Sequence, residues 1–342
     1  MKVAARKKRE ERIVQLIERA QILAADEALR RAIAISTGLT EEGVRFGFEH
    51  SLESIERFDS DSVFAAAEEA EEIHVILSAN VFVAPLRALV LAMAGADRVT
   101  VRHSTREPHF TEALLQAAQI EALSLTPTKS PEEQSVGEIH IYGKDETIAA
   151  VRAVSRVRVR GHGAGFGVAV VDRPSHHEML AHLLARDVAL FDQRGCLSPR
   201  IVFAVGEAAF ARSFAEAVHQ SLLTLSAKCP RGALSSEERE ASTRFLDLNA
   251  FAGQVFEAEH HAVGILDNPP SLTISPTGRH VQVVRVAAKS EAVRLLAPLR
   301  RFITTIGASD PLDWAFTLSH ARISEIGEMQ SPPLDGPVDR RR

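Results

Sequence analysis

The sequence predicts an α/β protein of two domains, on three observations. Short apolar runs bounded by turn residues alternate with segments whose apolar residues recur at helical spacing. Strand, helix and strand follow one another repeatedly, which is the unit of a parallel sheet. Finally, 342 residues with 45% hydrophobic and 25% charged content suffice for two full cores. The same numbers exclude intrinsic disorder. With only Cys196 and Cys229 available, a disulfide-stapled scaffold is excluded as well.

The elements follow in order. From Arg6 to Ile35 an amphipathic helical pattern runs until Thr37-Gly38. A polar Glu/Ala-rich helical stretch, Ser60 to Glu72, leads into the strand His74 to Leu77, with Asn80 just past its end. A helix from Ala84 to Ala94, a turn at Gly95-Ala96-Asp97 and a strand from Arg98 to Arg102 complete a strand–helix–strand unit. A helix from Thr111 to Ala118, strands Glu121 to Leu125 and Glu138 to Tyr142, and a helix opening at Gly143-Lys144-Asp145 and running to Val154 come next. Arg156 to Arg160 alternates strictly, so one strand face carries three guanidinium groups. After a glycine-rich loop come strand Gly167 to Val171, helix His177 to Phe191, a loop holding Cys196, and strand Ile201 to Val205. Helices are expected over Ala209 to Leu225 and Ser236 to Ala258, a strand over Val281 to Val286, and an extended tail from Ser331.

Charge and hydropathy narrow the partners. Forty Lys and Arg against 45 Asp and Glu leave a net charge of −5, so no general attraction to nucleic acid or an anionic membrane is expected. The longest apolar stretch, Val83 to Ala96, is interrupted by Arg87 and falls short of the roughly 20 residues of a membrane span. The N-terminal Met1-Lys2-Val3-Ala4-Ala5-Arg6-Lys7-Lys8 lacks the apolar core of a secretory signal, and a cytoplasmic location is expected.

Several constellations bear on chemistry. Gly161-His162-Gly163-Ala164-Gly165-Phe166-Gly167 invites a dinucleotide reading, but Phe166 stands where the fingerprint needs its third glycine, and a strand follows where a helix is required. His177 and His182, five residues apart, point 140° apart around a helix, so no metal site is expected. His260 and His261 are expected at the surface or an interface. Cys196, in Asp192-Gln193-Arg194-Gly195-Cys196-Leu197-Ser198-Pro199-Arg200, sits in a polar, glycine-containing loop unlike a core thiol's apolar run, and Arg194 and Arg200 would favour its thiolate if they approach it. Cys229 has no such setting and is expected to be structural.

In its succession of Ser78-Ala79-Asn80-Val81-Phe82, Ala94-Gly95-Ala96-Asp97, Val101-Arg102-His103-Ser104, Gly143 and the Gly195-Cys196 loop, the chain resembles the aldehyde dehydrogenase superfamily. Within it, Asp192 to Pro199 and Gly327-Glu328-Met329-Gln330-Ser331-Pro332-Pro333 resemble the luminescence-type acyl-CoA reductases, the LuxC family. The resemblance implies an aldehyde-dehydrogenase-like fold: a Rossmann-like nicotinamide-binding domain, here 1–171 with 305–342 returning to it, and a second α/β catalytic domain, 172–304, carrying Cys196. It implies that Cys196 is the nucleophile, that Asn80 supplies the side-chain amide of the oxyanion hole, and that an acyl-CoA or acyl-protein thioester is reduced to an aldehyde through an acyl-enzyme. His162 is a candidate proton donor to the departing group.

The Arg160 to Gly165 loop lacks the glutamate with which hydrolytic relatives activate water, so exchange with CoA and reduction are expected to outpace release of free acid. Where NAD-preferring relatives place a glutamate near the adenosine ribose, this chain reads Arg102-His103-Ser104-Thr105-Arg106. Arg102, Ser104 and Arg106, with Gly143, are therefore assigned to the cofactor, which is expected to be NADPH (NADP). The expected partners are an acyl-CoA or acyl-carrier substrate, a second copy of the chain, and an acyl-transferring protein. Alternatives of other kinds are an acyl-phosphate reductase and a non-catalytic subunit of an acyl-transfer complex.

Overall fold

The computed structural model describes residues 3–125, 130–314 and 320–341. The chain divides into two units: Met1–Thr37 with Gly47–Ala164 and Pro333–Asp339, and Gly38–Phe46 with Gly165–Pro332 and Arg340–Arg342.

The first unit opens with helices α1 (Val3–Leu23) and α2 (Glu27–Thr37); α3 (Glu41–Ser51), counted in this unit only from Gly47 onward, and α4 (Ser60–Ala66) follow. The single N-terminal helix expected from periodicity is broken at 24–26, because the Asp26 carboxylate accepts the Leu29 N–H at 3.0 Å and starts a new helix. The polar stretch expected to be helical to Glu72 stops at Ala66. Alternation then sets in: β1 (Ile73–Ile76), α5 (Ala84–Gly95), β2 (Val99–Arg102), α6 (His109–Ala118), β3 (Leu123–Leu125), β4 (Glu138–Tyr142), α7 (Asp145–Val154) and β5 (Arg158–His162). The strands lie in the order β3-β2-β1-β4-β5, all parallel. This is the doubly wound arrangement, with its change of direction between β1 and β4. Helix α5 is apolar on all sides and buried from Pro85 to Gly95, with α1 packed against it. Its one charge, Arg87, pairs with Glu53 at 2.6 Å and donates to the Gly336 carbonyl at 3.0 Å.

The second unit contains β6 (Phe166–Val171), α8 (His177–Ala189), β7 (Pro199–Val205), α9 (Ala208–Ser226), α10 (Ser236–Ala252), β8 (Gln254–Ala258), β9 (His261–Asp267), β10 (His280–Val286), α11 (Lys289–Leu296), β11 (Ile303–Ala308) and β12 (Arg322–Glu325). Its seven strands run β12-β11-β6-β7-β10-β9-β8, parallel except for the β8–β9 hairpin. Ala169 and Val171 of β6 face a core built with Leu184 of α8 and Phe214 of α9. Phe166, Val168 and Val170 face another, built with Phe203, Leu296 and Trp314. A strand apolar on both faces needs cover on both, and these two layers supply it.

The expected boundaries are corrected accordingly. β6 does not close the first unit at 171, because it pairs with β7 and β11 inside the seven-stranded sheet. The segment expected to return to the first unit from 305 onward instead contributes β11 and β12 to that sheet, and only Pro333–Asp339 returns. The helix expected to reach Ala258 ends at Ala252, since ladder pairing of Val255 with Gly264 and of Phe256 with Val263 outweighs the helical pattern. Among the described residues, no helix is long and apolar enough to cross a membrane.

Candidate active site

Because the five strands of the first unit are parallel, their carboxyl ends share one edge, and the register places there the residues singled out from sequence. Ile76, the last residue of β1, pairs with Arg102, the last of β2, and Tyr142 of β4 pairs with His162, the last of β5. Asn80 lies four residues past β1 and is exposed; Gly143 directly follows β4. In doubly wound sheets, this edge at the change of strand direction is where nucleotides bind.

The β2–α6 connection has a defined shape. Ser104 Oγ accepts the Arg106 N–H at 3.2 Å, and His103 lies 3.1 Å from the Ser104 carbonyl and 3.0 Å from Glu112. Buried Glu107 accepts the Phe110 N–H at 3.1 Å, starting α6. The Arg106 guanidinium crosses to the β1 loop and donates from Nη2 to Asn80 Oδ1 at 3.2 Å. Arg106 is among the residues that the sequence assigns to the cofactor. Its contact with Asn80, 26 residues away, carried no signal in the sequence.

His162 is half-buried, and its ring stacks on Tyr142 with centroids 4.4 Å apart and planes 13° from parallel. The residues expected to form a glycine loop from 161 in part continue β5. Gly161 is required by packing, since a Cβ there would stand 2.4 Å from Ile148 Cγ2 of α7. No carboxylate belongs to this loop in sequence, yet α7 brings one from its first residue, Asp145, whose Oδ1 accepts the Ala164 N–H at 3.3 Å. The strand's arginines face carboxylates: Arg160 Nε meets Glu138 at 2.6 Å, and both Arg158 and Arg160 contact Glu68. A hydrogen bond with His140, reinforced by Arg160 against the opposing effect of burial, holds the Glu138 carboxyl at about 2.

In the second unit, the Cys196 loop leaves α8 through three consecutive residues with left-handed backbone: Phe191 (φ 56°), Asp192 (φ 48°) and Gln193 (φ 65°). Such a run is costly for residues with side chains and persists only where the surroundings fix it. Here they do. Asp192 meets Arg279 at 2.8 Å and accepts the Gly232 N–H at 2.9 Å. The Gln193 side chain donates to the carbonyls of Pro199 (2.7 Å) and His280 (2.6 Å) and accepts the His280 N–H at 2.8 Å.

Beyond this bend, Ser198 N–H donates to the Gly195 carbonyl at 3.1 Å, closing a turn around Cys196. Thr304 of β11 donates to the Cys196 carbonyl, and Gln330 donates to Ser198 Oγ at 2.6 Å and to the Asp187 carbonyl at 3.1 Å. Cys196 is half-buried, whereas Gly195 and Leu197 on either side are buried. The turn therefore leaves the cysteine as the accessible member of a tightly held segment.

The flanking arginines bind the surrounding scaffold. Arg194 donates to Glu238 at 2.9 and 3.2 Å and to the Ala233 carbonyl, and Arg200 donates to the Ser275 carbonyl. The tail motif Gly327 to Gln330 is also an anchor: Asp187 of α8 accepts the N–H groups of Gly327 at 2.6 Å and Met329 at 3.2 Å. Burial lifts the Asp187 carboxyl to about 7 against the pull of these donors and of Arg186. The only signal for it in sequence was an aspartate on an otherwise apolar helix face. Cys229 is buried, 3.7 Å from Arg279 Nη2, with its thiol shifted upward by burial. His261 departs from expectation: it is buried and hydrogen-bonded to His219 at 2.9 Å, and burial lowers it to about 3. Packing of α9, which carries His219, against β9, which starts at His261, brings this pair together across 42 residues.

The fold is that of the aldehyde dehydrogenases. It superposes on aldehyde dehydrogenase 21 from Physcomitrella patens with a TM-score of 0.69 at 11% identity, covering 94% of this chain and 78% of that one. For an oxidoreductase from Marinobacter aquaeolei the values are 0.67 at 11%, over 92% and 76%. For a propionaldehyde dehydrogenase from Clostridium phytofermentans they are 0.59 at 14%, over 93% and 82%. Comparison with curated proteins yields no match. The sequence matches the family described as acyl-CoA reductase (LuxC) over residues 5–334. The chain belongs to that family, and it is an oxidoreductase acting at the aldehyde level.

Proposed function

We propose that this protein reduces an acyl-CoA thioester to the aldehyde with NADPH, through an acyl group carried on Cys196. The Cys196 thiolate attacks the thioester carbonyl, and the resulting oxyanion takes hydrogen bonds from the Asn80 amide and the Cys196 backbone N–H. Each such donor lowers a barrier of this kind by about 3 kcal/mol. Carbon–sulfur cleavage then expels CoA and leaves the acyl thioester on Cys196. When bound, the nicotinamide supplies the hydride that reduces this ester. The thiohemiacetal left on Cys196 collapses, releasing aldehyde and returning the thiolate. His162, half-buried at the end of β5, is proposed as the proton donor to the departing group.

The residues present fit the cofactor at the edge of the five-stranded sheet. Open space lies over Gly143, where an added Cβ would meet nothing within 4 Å. Arg102, exposed at the end of β2, occupies the position from which nucleotide-binding sheets address the adenosine ribose, and its charge suits a 2′-phosphate. Ser104 stands beside it in the same connection, with its hydroxyl engaged by Arg106 N–H.

The observation that carries this reading is a half-buried cysteine held at the apex of an over-determined turn, in a chain of the acyl-CoA reductase family. Its test is intact-mass spectrometry after mixing with butanoyl-, octanoyl- and hexadecanoyl-CoA in the absence of reductant. One acyl adduct that vanishes in Cys196→Ala is expected. An adduct that survives the substitution, or none with any donor, overturns the reading.

A further inference from the structure

The Asn80 carboxamide has two chemically opposite ends, and only its nitrogen end can donate to an oxyanion. The structure settles which end faces Arg106. A guanidinium carries five donors and no acceptor, so a contact at 3.2 Å can be made only to the amide oxygen. Turning the amide by 180° would set its N–H groups against the guanidinium, exchanging a hydrogen bond for donor-to-donor repulsion. The oxygen is thereby held toward Arg106, and the Nδ2 donors are turned away from the guanidinium.

We infer that Arg106 is a positioning residue for the reaction: it selects the Asn80 amide orientation in which Nδ2–H is presented to the developing oxyanion. This rests on the reading of Asn80 as oxyanion donor and adds to it the device that aims the donor. Arg106 is itself placed, because Ser104 Oγ accepts its backbone N–H and Glu107 fixes the start of α6 two residues later. A cation on the amide oxygen also polarises the group and makes its N–H a stronger donor. The two arginines of the 102–106 connection thus have separate tasks, with Arg102 at the strand end facing the cofactor edge and Arg106 reaching across to Asn80.

The contact is exposed and contributes little to stability, so its removal is expected to leave folding intact. The decisive measurement is the first-turnover rate of CoA release from octanoyl-CoA without nicotinamide, which reads oxyanion formation alone. Arg106→Met is expected to slow this step about tenfold, the loss of one charge-assisted hydrogen bond. Octanoyl-CoA affinity is expected to change less than twofold. Arg106→Lys, which keeps a donor and a charge, restores most of the rate. In the Asn80→Ala background, Arg106→Met is expected to cause no further loss, because its effect runs through the amide.

An unchanged acylation rate in Arg106→Met, with the defect appearing only as weaker NADPH binding, overturns the positioning role while leaving Asn80 as donor. Losses that multiply in the double variant overturn it equally. An Asn80→Ala variant with unimpaired acylation removes both the donor and the residue said to aim it.

Discussion

Asp192 and Arg279 meet at 2.8 Å with each side chain only 1% exposed, and this ion pair lies beneath the bend that delivers Cys196. The carboxylate comes from a residue in left-handed conformation and the guanidinium from another, with φ of 48° and 65°. Arg279 also donates to the Cys229 carbonyl at 2.7 Å. Asp192→Asn tolerates the left-handed backbone but leaves a buried cation without its counter-charge. A loss of about 3–5 kcal/mol is expected, read as a lower denaturant midpoint with unchanged slope. A loss below about 1 kcal/mol would show that the pair does not fix the bend.

Cys196→Ala is expected to abolish aldehyde formation from acyl-CoA, while the thermal midpoint stays within a few degrees of the parent, since a half-buried thiol contributes little packing. Residual activity above about one per cent of the parent would contradict its role as nucleophile.

Arg102→Ala is expected to raise KM for NADPH about tenfold and leave NADH unaffected, the signature of a lost charge-assisted contact to a 2′-phosphate. An equal loss with both nucleotides would move Arg102 away from that phosphate.

Acid sensitivity follows from Glu138 and Glu238. Burial would raise the Glu238 carboxyl, but hydrogen bonds from Arg194, the Ser235 N–H and Thr277 outweigh it and hold the group at about 2. Glu138 stands at about 2 as well, and both lie below the unfolded value of 4.5. The unfolded chain therefore binds more protons between these values. The stabilisation is complete above pH 4.5 and disappears as pH falls toward 2, with an upper value of about 3 kcal/mol for each group. Glu238→Gln keeps the capping box of α10 yet should flatten the acid limb of stability against pH. An unchanged limb would contradict the assignment.

Gln330→Ala removes the amide that joins Ser198 Oγ to the Asp187 carbonyl and leaves a buried hydroxyl unsatisfied. It is expected to cost about 1–3 kcal/mol and to slow acylation by Cys196 without altering nicotinamide affinity. Hydrogen–deuterium exchange should show the 194–198 segment opening more readily.

Periodicity sufficed where an element's own residues decide its state. β4 at Glu138–Tyr142 and α5 from Ala84 agree with expectation, because Ile139 and Ile141 alternate with polar residues at strand period and α5 is apolar apart from Arg87 over a helix's length. It failed where pairing between strands decides. Residues 254–258 continue a helical pattern yet pair with β9 as a hairpin, and β11 and β12 join a sheet begun by β6 well over a hundred residues earlier. The residue types that made Asn80 and Cys196 candidates were legible in sequence, since only certain groups stabilise an oxyanion or attack a thioester. Their supports were not, for Arg106, Arg279, Thr304 and Gln330 reach their partners across 26, 87, 108 and 132 residues.

By itself the sequence determined the α/β class, the family and the chemical character of the reacting groups, because these depend on local hydrophobic period and on side-chain identity. Tertiary structure alone decided which strands share a sheet, which end of the Asn80 amide meets Arg106, and why the Cys196 turn stands in a costly conformation. Hydrogen bonds and buried ion pairs act only over a few ångströms, and folding determines which distant residues come that close.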